Sequence, residues 1–134
     1  MKTLTISSNK HSEFIDITTR IQDFLDRSGK ETTSGICNIF VPHTTAGITI
    51  NENADPDVNT DLLYLLDDIV PWKNPHYKHF EGNTAAHLKA SMMGSSVQVI
   101  IENNQLQLGQ WQGIYFCEFD GPRNREIWLK ILDI

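Results

Sequence analysis

The stretch His79-Phe80-Glu81-Gly82-Asn83-Thr84-Ala85-Ala86-His87 sets two histidines, a carboxylate and an amide within nine residues. Imidazole is the commonest protein ligand for a metal and the side chain that exchanges protons nearest neutrality. The best third partner is His43, in Pro42-His43-Thr44-Thr45-Ala46-Gly47. Three histidines that leave one coordination position open are the usual form of a catalytic zinc site. A plainer reading, as surface or hydrogen-bonded histidines, stands beside this one for the same residues, and it is the one adopted for His11 in a polar turn and His76 in a Pro-rich loop. Glu52, which follows an apolar run, and Glu81, which lies between the two histidines, both qualify to orient a ligand histidine or to move a proton; the sequence does not rank them.

A second group has the chemistry of anion recognition. Ser95 and Ser96 follow Gly94, Gly109 to Gly113 form a glycine-bracketed turn, and Arg123 and Arg125 lie just after Gly121-Pro122. Guanidinium, hydroxyl and backbone N–H donors together suit a phosphate. Within the glycine-bracketed turn, Trp111 reads as a packing residue. There is no phosphate-binding loop of the Gly-x-x-x-x-Gly-Lys type, no Gly-x-Gly-x-x-Gly, no Gly-x-Ser-x-Gly elbow and no Cys-x-x-Cys.

These residues must be positioned by local structure. Asn83 is a good N-cap, the run from Thr84 to Met93 favours a helix, and Gly94 stands where a C-terminal cap belongs. His87 then falls in the first turn, with His79 on the incoming loop. That loop, from Pro71 to Gly82, carries Trp72, Tyr77 and Phe80 as expected aromatic anchors. Alternation over Leu4 to Ser8 and Glu13 to Ile17 predicts an opening hairpin. Thr19 and Gln22 resemble a capping box for a short helix ending at Ser28-Gly29, and Asp57 is expected to cap a helix that runs to Ile69 before Pro71.

Two apolar runs, Gly35 to Val41 and Gly47 to Asn51, read as strands, and their short connection predicts an antiparallel pair. A hairpin over Ser96 to Leu108 and strands over Gln112 to Phe119 and Glu126 to Ile134 follow. The sum is α+β: about seven mostly antiparallel strands in a two-sheet sandwich with about three helices packed on it, in a single domain over residues 1–134.

Composition narrows the function classes. Eleven basic against seventeen acidic residues give a net charge of -6, which argues against a nucleic-acid backbone footprint. No apolar run approaches membrane-spanning length and the N-terminus lacks a signal-peptide core, so the expectation is a cytoplasmic protein with no membrane partner. Cys37 and Cys117 lie within apolar strands and read as buried free thiols.

The residues from His43 to Asp57, His79 to His87, Gly94-Ser95-Ser96 and Gly109 to Gly113 together resemble the YjbQ-like family, also called the secondary thiamine-phosphate synthase family, nearly end to end. One position departs: the family's Gly-Thr-Trp-Gln reads Gly109-Gln110-Trp111-Gln112 here, removing a hydroxyl. The resemblance implies a homotrimer with a polar pocket at or near a subunit interface, and a divalent metal, zinc foremost, on His43, His79 and His87. It also implies weak thiamine-phosphate synthesis, in which a pyrimidine diphosphate joins a thiazole phosphate and pyrophosphate leaves. The expectation is therefore a metal-dependent enzyme acting on a small phosphorylated molecule, with Glu52 or Glu81 as proton-transfer group and Thr44, Thr45, Ser95, Ser96, Gln112 and Arg123 binding substrate or anion. The alternative is a non-catalytic trimeric protein that binds a metal or a phosphometabolite.

Overall fold

The computed structural model describes residues 1–28 and 34–134. Among these residues eight strands and three helices follow in the order β1 (Lys2–Ser7), β2 (Glu13–Asp16), α1 (Thr18–Arg27), β3 (Ser34–Phe40), β4 (Ala46–Glu52), α2 (Pro56–Ile69), α3 (Thr84–Met93), β5 (Ser96–Glu102), β6 (Gln105–Leu106), β7 (Gln112–Glu118) and β8 (Asn124–Asp133). They form a five-stranded sheet in the order β1-β8-β3-β5-β6 and a three-stranded sheet in the order β2-β7-β4. Every pairing is antiparallel, so the expected α+β sandwich is what the chain forms.

The main core lies between the sheets. Cys37 and Ile39 of β3, Val99 and Ile101 of β5, Ile127 and Leu129 of β8 and Ile6 of β1 meet Ile48, Ile114 and Phe116 of the smaller sheet, with Ile21 and Leu25 of α1. On β7 the alternate residues Tyr115 and Cys117 face the other way, into a second cluster with Leu66 of α2 and Ala86 and Ala90 of α3. Both faces of β7 are thus covered, which is why its sequence reads as an unbroken apolar run. On β3 the alternation is real: Cys37 and Ile39 are buried, whereas Ile36 and Phe40 face outward and are only partly covered.

Four expected pairings and caps are corrected. Residues 4–17 do not form a hairpin, because β1 pairs β8 and β2 pairs β7. Strands β3 and β4 do not pair either; the break at Pro42 carries the chain from the larger sheet to the smaller. Helix α1 has no side-chain cap at its first residue, and Gln22 bonds instead to the β5–β6 turn, donating to Asn104 O and accepting from the Leu106 N–H. The expected end of α1 at Ser28-Gly29 falls partly outside the described residues, Gly29 being among those not described. Helix α2 is capped by Asp55, whose carboxylate accepts from the Asp57 N–H, with Pro56 in the first turn.

Gly47 docks α3 onto β4. A Cβ at that position would lie 2.9 Å from Gly94 O and 3.0 Å from Met93 Cβ. Without it, the Ile48 N–H reaches Gly94 O at 3.1 Å and the C-terminus of α3 rests directly on the strand. A second tie joins α3 to α2: the buried Lys89 ammonium donates to the Asp67 carboxylate. Helix α3 is therefore held along its length, and His87 with it.

Candidate functional site

A cleft of about 400 Å³ opens where the chain leaves β3, enters α3 and enters β8. His43 comes from the β3–β4 crossover, His79 from the loop before α3, and His87 from the first turn of α3; all three line this one cleft. Thr44, Thr45, Glu81 and Arg123 line it as well, as do Asn83 and Arg125. Ser95 reaches a contiguous recess shared with His43, Thr44 and His87.

The remaining candidates lie elsewhere. Glu52 and Gln112 are paired at the far end of the β4–β7 ladder, about 20 Å along the strand from Ala46 at a rise of ~3.3 Å per residue. Gln112 there folds back to accept the Gly109 N–H at 2.7 Å. Ser96 opens β5 opposite Phe40 and lines none of the recesses described. Trp111, expected to pack, is 57% exposed, and Phe80, expected as an anchor, is 91% exposed. The other two loop aromatics do fix the approach: Trp72 packs on the second core cluster and Tyr77 donates its hydroxyl to Pro71 O.

Within the cleft the histidines differ. The rings of His79 and His87 stand edge to face with centroids 5.4 Å apart, and Glu81 Oε1 lies 3.8 Å from His79 Nε2. His43 instead accepts the Glu126 backbone N–H on Nε2 at 3.0 Å. An imidazole that accepts on one nitrogen in its neutral form carries its proton on the other, here Nδ1. Burial, with the nearby Arg125 charge adding to it, lowers the pKa of His43 from its ordinary value. The neutral ring is the favoured form.

This arrangement bears on the three-histidine metal set. A zinc-bound imidazole offers a free lone pair to the ion, and the Nε2 lone pair of His43 is committed to Glu126. Among the described residues no three His, Cys, Asp or Glu side chains are placed to hold a metal ion together. Of the set, His79 and His87 stand closest together, with Glu81 beside His79.

Asn83, expected only as a cap, and Asp120 and Glu118, to which the sequence assigned no role, support the residues that line the cleft. Asn83 begins α3 but does not cap it; its Nδ2 donates to Asp120 Oδ2 at 2.9 Å. Asp120 also accepts from Arg123 Nη2 at 2.9 Å and lies 3.7 Å from His11. Glu118 is wholly buried and paired with Arg125. Its signal was a lone carboxylate at the end of Tyr115-Phe116-Cys117, with arginines just beyond the following turn.

An α+β sandwich whose sheet ends and third helix enclose a histidine- and arginine-lined cleft is the class that the geometry defines. The family described as UPF0047 protein YjbQ-like matches residues 2–134. The chain belongs to that family. It is 55% identical to the UPF0047 protein YugU of Bacillus subtilis over 132 residues, covering 98% of each chain. To the UPF0047 protein MJ1081 of Methanocaldococcus jannaschii it is 50% identical over 127 residues, covering 95% of this chain and 90% of that one. A crystal structure of a YjbQ/UPF0047 protein from Clostridium acetobutylicum superposes with a TM-score of 0.93 at 53% identity, covering 98% of this chain and 100% of that one. No helix among the described residues is long and apolar enough to cross a membrane.

Proposed function

We propose that the cleft is the active site of an enzyme acting on a small phosphorylated substrate, with His79 and His87 as the groups that exchange protons with it. The observation that carries this reading is the convergence of three histidines and two arginines from three separate segments on one cleft. Edge-to-face imidazoles beside a carboxylate can pass a proton between substrate and solvent, Glu81 orienting His79. The arginines and the Thr44, Thr45 and Ser95 hydroxyls supply donors for a phosphate. The reaction to assay first is the condensation of a pyrimidine diphosphate with a thiazole phosphate, read as pyrophosphate release. Loss of turnover in both His79→Ala and His87→Ala, each folded by circular dichroism, is the expected result. Turnover unchanged in both would overturn the reading.

Zinc at this cleft is a second reading, favoured by the 5.4 Å spacing of the two rings. His79 and His87 would hold the ion, which would supply Lewis acidity when bound. About one zinc per chain in protein purified without added metal, lost in His87→Ala and kept in His43→Ala, is the expected content; none in the wild-type protein would end this reading.

Assembly as a homotrimer is part of the same proposal. The outward face of the five-stranded sheet presents Ile100 at 59% exposure, Leu132 at 50%, and Phe40 stacked on Trp128 with centroids 5.6 Å apart. A patch of this kind suits self-association. Glu126, whose N–H holds His43, also accepts from Trp128 Nε1 at 2.8 Å, so this face adjoins the cleft. Sedimentation equilibrium should give a trimer that Ile100→Asp weakens, and a monomeric wild-type protein would rule it out.

A further inference from the structure

Among the described residues Arg125 is the one buried arginine. It is 6% exposed, and its Nε and Nη2 donate side-on to Glu118 Oε1 and Oε2 at 2.9 and 2.5 Å. Nη2 also donates to Thr45 Oγ1 at 2.8 Å. Glu118, fully buried, is itself saturated: Ser8 Oγ donates to Oε1 at 2.7 Å, and the Phe119 and Asp120 N–H groups donate to Oε2 at 3.1 and 3.0 Å. The one guanidinium nitrogen left without an acceptor among the described residues is Nη1. It is not among the unpartnered atoms sealed from solvent, and Arg125 lines the cleft.

A buried ion pair is poor value as a stabilising device, since apolar residues of equal volume often do as well. It is effective for another purpose, which is to fix a long and flexible cation before a ligand arrives, so that little rotamer freedom is lost on binding. Arg123, by comparison, is half exposed and turned onto Asp120.

We propose that Arg125 seats the phosphate group of the substrate through Nη1, and that Glu118 and Thr45 are positioning residues that fix its guanidinium plane at the mouth of the β3–β4 crossover. The proposal rests on the reading of the cleft as a site for a phosphorylated substrate and places the phosphate end of that substrate beside His43, leaving the reacting end toward His79 and His87. The ligand chemistry is a phosphate monoester or diphosphate oxyanion, which accepts from Nη1 and from hydroxyls around it.

The test uses the full chain and inorganic phosphate as probe. Titration followed by the 15N resonances of the arginine side chains should move Arg125 and leave Arg20 and Arg27 in place. Calorimetry should show phosphate binding about tenfold weaker in Arg125→Lys, which keeps the charge opposite Glu118 but lacks the free fork nitrogen. If Arg125→Lys does not fold, the wild-type resonances alone decide. Phosphate that binds the wild-type protein and shifts the histidines but not Arg125, or that binds Arg125→Lys equally well, refutes the seat and leaves the cleft reading standing. Phosphate that perturbs neither the arginines nor the histidines refutes both.

Discussion

Glu126 donates its backbone N–H to His43 Nε2 at 3.0 Å, in the place where β3 would have paired with β8 had it continued beyond Phe40 opposite Trp128. Pro42 turns the chain away, and the imidazole stands in for the missing strand. One ring therefore closes a sheet edge and lines the cleft.

Replacing His43 by Phe leaves the Glu126 N–H without its acceptor. A loss of about 1–3 kcal/mol in unfolding free energy is expected, read from urea denaturation. An unchanged midpoint would show that water takes over the bond.

The same ring gives a pH dependence. Its pKa is lowered in the folded state, chiefly by burial and then by Arg125. The unfolded chain takes up a proton near the ordinary value of 6.5 that the folded ring resists, so this contribution to stability is present above that value and is lost as pH falls below it. Urea midpoints between pH 7.5 and 5.5 should fall more steeply in the wild-type protein than in His43→Phe.

Glu118 governs the acid limb below that. Burial alone would raise its carboxyl, but hydrogen bonds from Arg125, Ser8 and the Asp120 N–H outweigh burial and hold its pKa below the ordinary carboxylate value. Stability from this group is complete above the unfolded value and is lost as pH falls through the lower, folded one. Glu118→Gln, which leaves Arg125 buried and uncompensated, should destabilise by about 3–5 kcal/mol at pH 7. The loss should shrink toward pH 3, a trend visible in acid titrations followed by circular dichroism.

Gly47→Ala should cost about 1–3 kcal/mol, because its Cβ would press on backbone at Gly94 O rather than on a flexible side-chain end. Since α3 carries His87, histidine NMR shifts should move at His87 and not at His11. A variant as stable as the parent would mean that α3 yields without strain.

Thiol chemistry should be silent in the folded protein. Burial pushes Cys37 up to about 11 and Cys117 higher still. Neither should react with a thiol reagent at pH 8 until the chain unfolds, whereupon two equivalents per chain should appear.

What was legible in the sequence was local. Asn83 and Gly94 bracket α3 as expected, Gly94 because its φ of +94° selects glycine, although the Asn83 side chain turns to Asp120 instead of capping the helix. His87 and His79 follow from that bracket. Strand partners were not legible, since the pairing of β1 with β8 joins residues more than a hundred positions apart and adjacency in sequence suggests hairpins instead. The Asp57 cap was displaced to Asp55 because Pro56 takes the first helical position, where its missing N–H has no consequence. Glu118 was hidden by its apolar neighbours; only the turn back to Arg125 gives its burial a meaning.

The cleft draws on residues 42–45, 79–87 and 123–125 and spans both sheets, so no fragment of the chain can form it. Whatever seats there binds the native state and has nothing to bind in the unfolded one. By mass action a ligand at a hundred times its dissociation constant should add about 2.7 kcal/mol, and the midpoint of heat unfolding should climb accordingly. The fold is thus its own reporter: a library of phosphorylated metabolites ranked by thermal shift would rank them by affinity for the cleft, before any reaction is known.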